Sequence, residues 1–270
     1  NAQYKKKGTP DPNDWDWQQF RRDQVTDLVR KIYLTSIAEK PNLKVSACAL
    51  TGSARVENDE TWKNSYIYRD TGQDWVGWMR EGIIDINMPM NFLPQISAEF
   101  GASYLRWNEF LKKHKYDRHL AIGCALFYNG GLNLITQIRD ALKIPYKQPK
   151  ADGVILYSYA VPSAMKEPIA PSKYLEILHK PGNLDRSPVF KDWVPTPGMP
   201  WKSNPTTGHL KGFTRNERNQ PLQGVKVSIS GPVKRIVYSD ATGFYGTVDL
   251  PPGDYQLIAE FPKNQSVTNS

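Results

Sequence analysis

The 270-residue chain holds no apolar run near the roughly 18 residues that suggest a membrane span, so no transmembrane segment is expected. It has only two cysteines, Cys48 and Cys124, without zinc-type spacing. Both sit inside apolar strand patterns, where a free cysteine usually serves as a small core residue. A disulfide therefore lacks support, and cysteine does not decide the redox compartment. The four histidines, His114, His119, His179 and His209, show no metal-ligand spacing. Neither a Ser–His–Asp order nor a glycine-rich phosphate loop is present, and Gly130-Gly131 is only a turn before a helix. No metal and no cofactor are expected. No signal peptide is visible, but the chain opens on Asn1 without an initiator methionine and reads as a mature or truncated product. Net charge is +8 and the isoelectric point about 9.3. That balance suits anionic polymers, nucleic acid or acidic envelope glycans. The only dense basic run is Lys5–Lys7, and no basic patch is interleaved with aromatics, so no nucleic-acid partner is expected.

The composition, 39% hydrophobic and 23% charged, is that of a folded protein with room for one large domain or a medium one plus a small one. From Trp17 to Glu39 apolar residues recur at helical spacing (Phe20, Val25, Leu28, Val29, Ile32, Tyr33, Ile37), with Asp14 or Asp16 as N-cap and Pro41 as a stop. Leu43–Leu50 reads as a short buried strand, and Thr51–Tyr68 as a long polar loop. Three helix–strand steps then follow. The helix around Asp74–Glu81 precedes strand Ile83–Met88, that around Ala102–His114 precedes Leu120–Phe127, and that around Leu132–Leu142 precedes Gly153–Tyr159. A last helix is expected near Ser172–His179. Apolar strands alternating with helices imply a parallel sheet covered by helices. The fold class is α/β. Four strands are too few for a (β/α)8 barrel, so residues 1–180 read as its C-terminal half, strands five to eight, with an intact smaller αβ fold as the competing reading.

Composition shifts after residue 180. Six prolines between Pro181 and Pro205 mark a stiff linker, residues 181–207, with Trp193 and Trp201 expected to pin it to a neighbouring surface. Residues 208–262 alternate apolar and polar with period two, as in GVKVSISG, FYGTVDL and DYQLIAEF, between the turn signals ERNQP, GP, DATG and PPGD. This predicts a small antiparallel β-sandwich, followed by a polar tail at 263–270.

Four stretches run in order: WDWQQFRRDQVTDLVRKIY with KPNLKVS after it, then QDWVGWMREGIIDINMPMNF, IGCALFYNGG and DGVILYSYA. Through them the αβ part resembles the glycosyl-hydrolase-like barrels of bacterial envelope and secreted proteins, related to a lipoprotein that cleaves peptidoglycan glycan strands. The tail, through PLQGVKVSISG and SDATGFYGTVDLPPGDYQL, looks like a carboxypeptidase-regulatory-like domain. The resemblance implies a glycoside hydrolase in the full-length parent, at the cell envelope or secreted, acting on a polysaccharide, with peptidoglycan among the candidates. It further implies an acidic cluster ending strand four, just before a helix like the one carrying Arg21-Arg22. That strand is not within these residues.

Glycoside hydrolysis needs two carboxyl groups flanking the scissile bond. LAIGCALFYN and GVILYSYA end without one. Asp85 is the carboxylate inside a strand and one catalytic candidate; its alternative is a structural aspartate near the barrel floor. Glu57, with Asp59 and Glu60 in the same long loop after the first strand, is the second candidate, its alternative being a solvated loop; Arg55, earlier in the loop, is a partner for a carboxylate or an acidic sugar. Candidate sugar-binding residues sit where strands end: Asn91, Tyr128, Asn129, Tyr157 and Tyr159. The amides offer hydrogen bonds to hydroxyls, and the rings offer stacking faces; the alternatives are loop capping for Asn91 and rim packing for the others. Trp75 and Trp78, three apart on a helix, read as packing residues. The rival function is a non-catalytic carbohydrate-binding or scaffold protein.

Overall fold

Asp14 starts the first helix by accepting from the N–H groups of Asp16 at 2.8 Å and Trp17 at 3.2 Å, which satisfies two of the donors a helix start leaves free. The computed structural model describes residues 8–52, 55–95, 97–129, 131–144, 149–158, 176, 178–180 and 188–261. They form two compact units. One comprises Asn1–Val45, Glu81–Ile83 and Met199–Ser270, the other Ser46–Arg80 and Ile84–Gly198.

In the first unit, helix α1 (Trp15–Glu39) accompanies one helical turn, α7 (Pro200–Ser203), and the strands β5 (Gly208–Phe213), β6 (Lys226–Ser230), β7 (Arg235–Tyr238), β8 (Phe244–Leu250) and β9 (Gln256–Glu260). The strands pair antiparallel in two sheets, β5-β8 and β7-β6-β9. Period-two alternation buries Val225, Val227 and Ile229 and leaves the intervening residues outside. The sequence read α1 with the αβ units, yet its packing partners are β5 and β8. Gly246 contributes to the fit: a Cβ there would lie 2.4 Å from Leu34 Cδ1 and 3.1 Å from the Leu210 carbonyl oxygen, so the glycine gives the leucine its present place. Tyr33 and Leu34 are buried as a result, while Leu28 and Ile32, expected on the apolar face, are about half exposed.

Lys31 adds a polar clasp between the helix and the turn joining β7 to β8. Its Nζ donates to Asp240 Oδ2 at 2.9 Å and Thr242 Oγ1 at 2.6 Å. Asp240 Oδ1 also accepts from the Thr242 N–H and hydroxyl, both at 2.7 Å, and from the Phe244 N–H at 3.0 Å. The turn between them needs Gly243, whose φ is +77°. Partial burial works against the charge on Asp240, but the hydrogen bonds from Lys31, Thr242 and Phe244 hold its carboxyl below the usual carboxylate range. A lowered folded-state value means stability present above the ordinary aspartate value, about 3.9, and lost as pH falls through the folded one. The melting-temperature gap between the wild type and Asp240→Asn is therefore expected to hold above about pH 5 and to close on acidification. A gap that widened in acid would contradict it.

The second unit holds β1 (Ser46–Ala47), α2 (Asp59–Lys63), α3 (Tyr66–Arg69), most of α4 (Trp75–Glu81), β2 (Ile86–Asn87), α5 (Ala98–Lys113), β3 (His119–Ala125), α6 (Gly131–Leu142) and β4 (Gly153–Tyr157). Its sheet is parallel in the order β1-β2-β3-β4, as the alternating apolar strands implied. The expected polar loop 51–68 contains two short helices. Asn58 caps α2 in a reciprocal capping box with Thr61, and the Ser65 side chain caps α3. Helix α5 begins four residues before the expected start, because Ser97 accepts from the Phe100 N–H. Most of the expected helix at 172–179 lies outside the described residues. Trp193 does not pin the linker, since it is 86% exposed.

Along β2 and its flanks the burial reverses the usual pattern. Asp85, Asn87, Pro89 and Asn91 are buried, while Ile86, Met88, Met90 and Phe92 are partly exposed. Alternate residues face opposite sides of a sheet, and Asn91 meets α5. The helix-covered face of this strand is thus polar, and its other face apolar.

Candidate functional site

The C-terminal ends of β2, β3 and β4 bring four aromatic rings together. Phe92 stacks on Tyr157 with centroids 5.0 Å apart and planes 22° apart. Phe127 meets both edge-on, at 6.3 Å from Phe92 and 5.7 Å from Tyr157, and lies 3.9 Å from Tyr128. The register Ala125↔Tyr157 makes this possible by setting the ends of neighbouring parallel strands side by side. Tyr157 is 52% exposed, so its ring offers a surface. Sequence reasoning named Tyr128 and Tyr157 but missed Phe92 and Phe127. Counting by twos beyond Met90 and Ala125 would have found both on the same face. Tyr159 lies outside the described residues.

The two amides expected to bind sugar lie beneath this surface. Asn91 is fully buried and donates through Nδ2 to Asn108 Oδ1 at 3.0 Å and the Tyr104 carbonyl at 3.3 Å, fastening the end of β2 to α5. Asn129, 2% exposed, accepts the Gln95 N–H at 2.8 Å and donates to the Ala125 carbonyl at 2.9 Å. Gln137 accepts the Ala125 N–H at 3.1 Å and donates to the Leu93 carbonyl. These contacts fix the loop after β2 against the end of β3, so the rings rest on a braced floor.

At the exit of β1 the backbone is held by aromatic donors. Trp75 Nε1 donates to the Leu50 carbonyl at 3.1 Å, Trp107 Nε1 to Gly52 at 2.8 Å, and the Tyr66 hydroxyl to Thr51 at 3.3 Å. Thr51 in turn donates to the Met90 carbonyl at 2.9 Å. The loop beyond carries Arg55 and Glu57 as an exposed pair, Nε to Oε1 2.7 Å apart, with the arginine side chain 75% exposed. Exposed pairs of this kind contribute about 0–1 kcal/mol, so Glu57 is free to exchange partners.

Asp85 sits elsewhere. It is fully buried just before β2, and its carbonyl accepts the His119 N–H at 2.9 Å. Phe92 is seven residues further along the chain, roughly 20 Å at strand rise. Asp85 thus lies at the opposite end of the strand from the rings.

Cys124 is buried on the helix-facing side of β3, 3.3 Å from the Tyr104 hydroxyl. Burial pushes its thiol up to about 12, with the Tyr104 hydrogen bond offsetting part of the rise. A thiol so held stays protonated near neutral pH and is no nucleophile. Among the described residues no group of three or more His, Cys, Asp or Glu side chains could hold a metal ion. No described helix is long and apolar enough to cross a membrane.

Residues 1–125 match the model of one family, glycosyl hydrolase-like 10. No curated protein and no solved structure matches the chain. The matched range supports a glycosyl-hydrolase-like protein, which fits a glycan substrate. It includes Arg55, Glu57, Asp85, Asn91 and Phe92, and ends at the last residue of β3. Phe127, Tyr128, Asn129 and Tyr157 lie beyond it.

Proposed function

We propose that the αβ part is strands five to eight of a (β/α)8 glycoside-hydrolase-like barrel, that the C-terminal strands form a small carboxypeptidase-regulatory-like sandwich, and that the protein acts on a polysaccharide at the cell envelope or outside the cell. Peptidoglycan is among the candidate substrates. The observation that carries this reading is the ring cluster of Phe92, Phe127, Tyr128 and Tyr157 at the ends of three parallel strands, in a chain whose first 125 residues match a glycosyl-hydrolase-like family. Ligands in such folds gather at the C-terminal ends of strands. The apolar, partly exposed side of β2 supports the barrel reading, because a closed barrel fills its interior with such side chains.

Sugar rings stack on the exposed face of Tyr157 in this reading, and hydrolysis uses paired carboxylates. Of the two candidates, Glu57 is exposed and takes the reacting role. The buried place of Asp85 at the start of β2 gives its substitution a different use, as a test of whether that carboxylate is structural. A second reading, glycan binding without cleavage, draws support from the ends of β2, β3 and β4, where no described residue from Asn91–Gln95, Leu126–Asn129 or Tyr157-Ser158 is a carboxylate.

The test compares the wild type with Tyr157→Ala, Glu57→Gln and Asp85→Asn on peptidoglycan and a panel of neutral polysaccharides, scoring both binding and release of reducing ends. Tyr157→Ala is expected to weaken binding about tenfold, the usual scale for an aromatic anchor. Glu57→Gln is expected to retain binding and lose release. Binding without release in the wild type favours the second reading, and neither binding nor release overturns both.

A further inference from the structure

The C-terminal strands stack two sheets of unequal width, β5-β8 over β7-β6-β9. Leu210 of β5 and Tyr245 of β8 pack on the cluster of Val225, Val227 and Ile229, and β8 lies against β7. The two-stranded sheet thus covers β6 and β7. It leaves β9 uncovered, with all five residues of that strand exposed. By register Leu257 continues the inner face beside Ile229, and Ala259 beside Val227. Phe261 is next by alternation. Yet Leu257 is 40% and Phe261 44% exposed, while Val225, Val227 and Ile229 are buried. The result is an open cleft of about 380 Å³ beside β5, lined by these β9 side chains together with Val225, Val227 and Tyr245.

One wall of this cleft is also a free strand edge, because β5 pairs with β8 alone. The Thr214 N–H donates to the Gly243 carbonyl at 2.8 Å, in the register that sets Gly212 opposite Tyr245 and Phe213 opposite Phe244. In an antiparallel pair only alternate residues exchange hydrogen bonds with the neighbour. Gly212 and Thr214 therefore turn their backbone groups to β8, and Lys211 and Phe213 turn theirs to the open side. Side chains alternate as well. Gly212 is on the inner face, since a Cβ there would lie 2.5 Å from the Tyr245 hydroxyl. Lys211, Phe213 and Arg215 are on the other face, with the Arg215 guanidinium 5.6 Å from the Phe213 ring centroid. No acidic residue stands between Gly208 and Arg215. We propose that this edge takes up an extended segment of a partner polypeptide as a third strand beside β5. Apolar side chains at alternate positions of that segment face Leu257, Ala259 and Phe261, and acidic ones between them face Lys211 and Arg215. Main-chain bonds to Lys211 and Phe213 hold it, and the cleft and the two cations select it. An acyl chain would fill the cleft but leave those backbone donors and acceptors unused, so a strand is the better occupant.

The strand site does not depend on the glycan reading, because none of its residues belongs to the ring cluster. The test uses the full chain and two short blocked peptides, one alternating valine with glutamate and the other valine with lysine, with binding followed by titration calorimetry. The glutamate peptide is expected to bind about tenfold more tightly, the scale of opposite-charge cross-strand pairs replacing like-charge ones at two positions. Lys211→Pro removes an N–H from the open edge and none from the ladder to β8. It should weaken the glutamate peptide by about tenfold or more with little change in melting temperature, since proline is tolerated on the solvent side of an edge strand. Replacing Lys211 and Arg215 together by glutamate should reverse the preference toward the lysine peptide, which keeps the test decisive if the proline variant unfolds. Equal binding of the two peptides, binding of neither, or binding untouched by both sets of substitutions overturns the strand site. Decanoate bound in the cleft where the peptides are not would assign it to an acyl chain and overturn the proposal as well.

Discussion

Replacing Gly123 with valine is expected to cost about 3 kcal/mol or more and to scatter the aromatic cluster. A Cβ at this position would lie 2.5 Å from the Pro89 carbonyl oxygen and 2.8 Å from Phe92 Cε1. The first of these is backbone and cannot swing aside. It is also the acceptor of the Gly123 N–H, at 2.9 Å, so moving it breaks the link between β2 and β3. Gly123 is not among the positive-φ glycines, which makes the cost steric rather than conformational. Alanine should therefore already be destabilising, and valine worse. The check is urea unfolding of the two variants beside the wild type. Equal midpoints for all three would mean that the strands can separate without loss. On the proposed function, glycan binding should fall with stability here, because the second atom struck belongs to Phe92, the ring on which Tyr157 stacks.

Truncating Trp62 to alanine is expected to cost about 4 kcal/mol, in the range measured for buried aromatic residues. Trp62 is 2% exposed and sits among Trp75, Phe110 and Tyr68, with centroids at 4.6, 6.0 and 6.0 Å. Its Nε1 donates to Asp74 Oδ1 at 3.3 Å. Asp74 would not be orphaned by the change, since it still accepts the Gly77 N–H at 3.0 Å. The loss is thus a packing loss, and Trp62→Phe should recover more than half of it. Trp62 is also the inward anchor of α2, so its removal should free the contact between Asp59 Oδ1 and His114 Nε2, 2.8 Å apart. A double-mutant cycle with Asp59→Asn would then show coupling, and additivity within about 0.5 kcal/mol would argue against a shared element.

Much of this architecture could be read from the chain. Strong punctuation fixed α1, because Asp14 offers a capping oxygen and Pro41 forbids continuation. The period-two runs of the C-terminal stretch do form strands, but alternate burial is clean only in β6; β8 buries three successive residues, Gly246 to Val248, and β9 none. Short elements were harder. Helices α2 and α3 are five and four residues long, too short for a periodic signal, and depend on the capping oxygens of Asn58 and Ser65. At the candidate site, Tyr128 and Tyr157 stand out in the sequence because they lie at or just past the ends of apolar strands. The amides Asn91 and Asn129 look the same by position, yet both are turned into the fold as braces.

The sequence alone determined the elements: alternating helices and apolar strands, then a proline-rich stretch, then antiparallel strands with glycine-marked turns. These follow from local periodicity and from backbone preferences that each short segment carries with it. Tertiary structure alone decided which of those residues meet. Leu34 packs against β8 where Gly246 lacks a side chain, and Phe92, Phe127 and Tyr157 converge because a parallel register aligns three strand ends. His114 finds Asp59 across 55 residues of chain only after α2 has docked on α5. Such contacts depend on register and on the space between distant residues, which no single segment encodes.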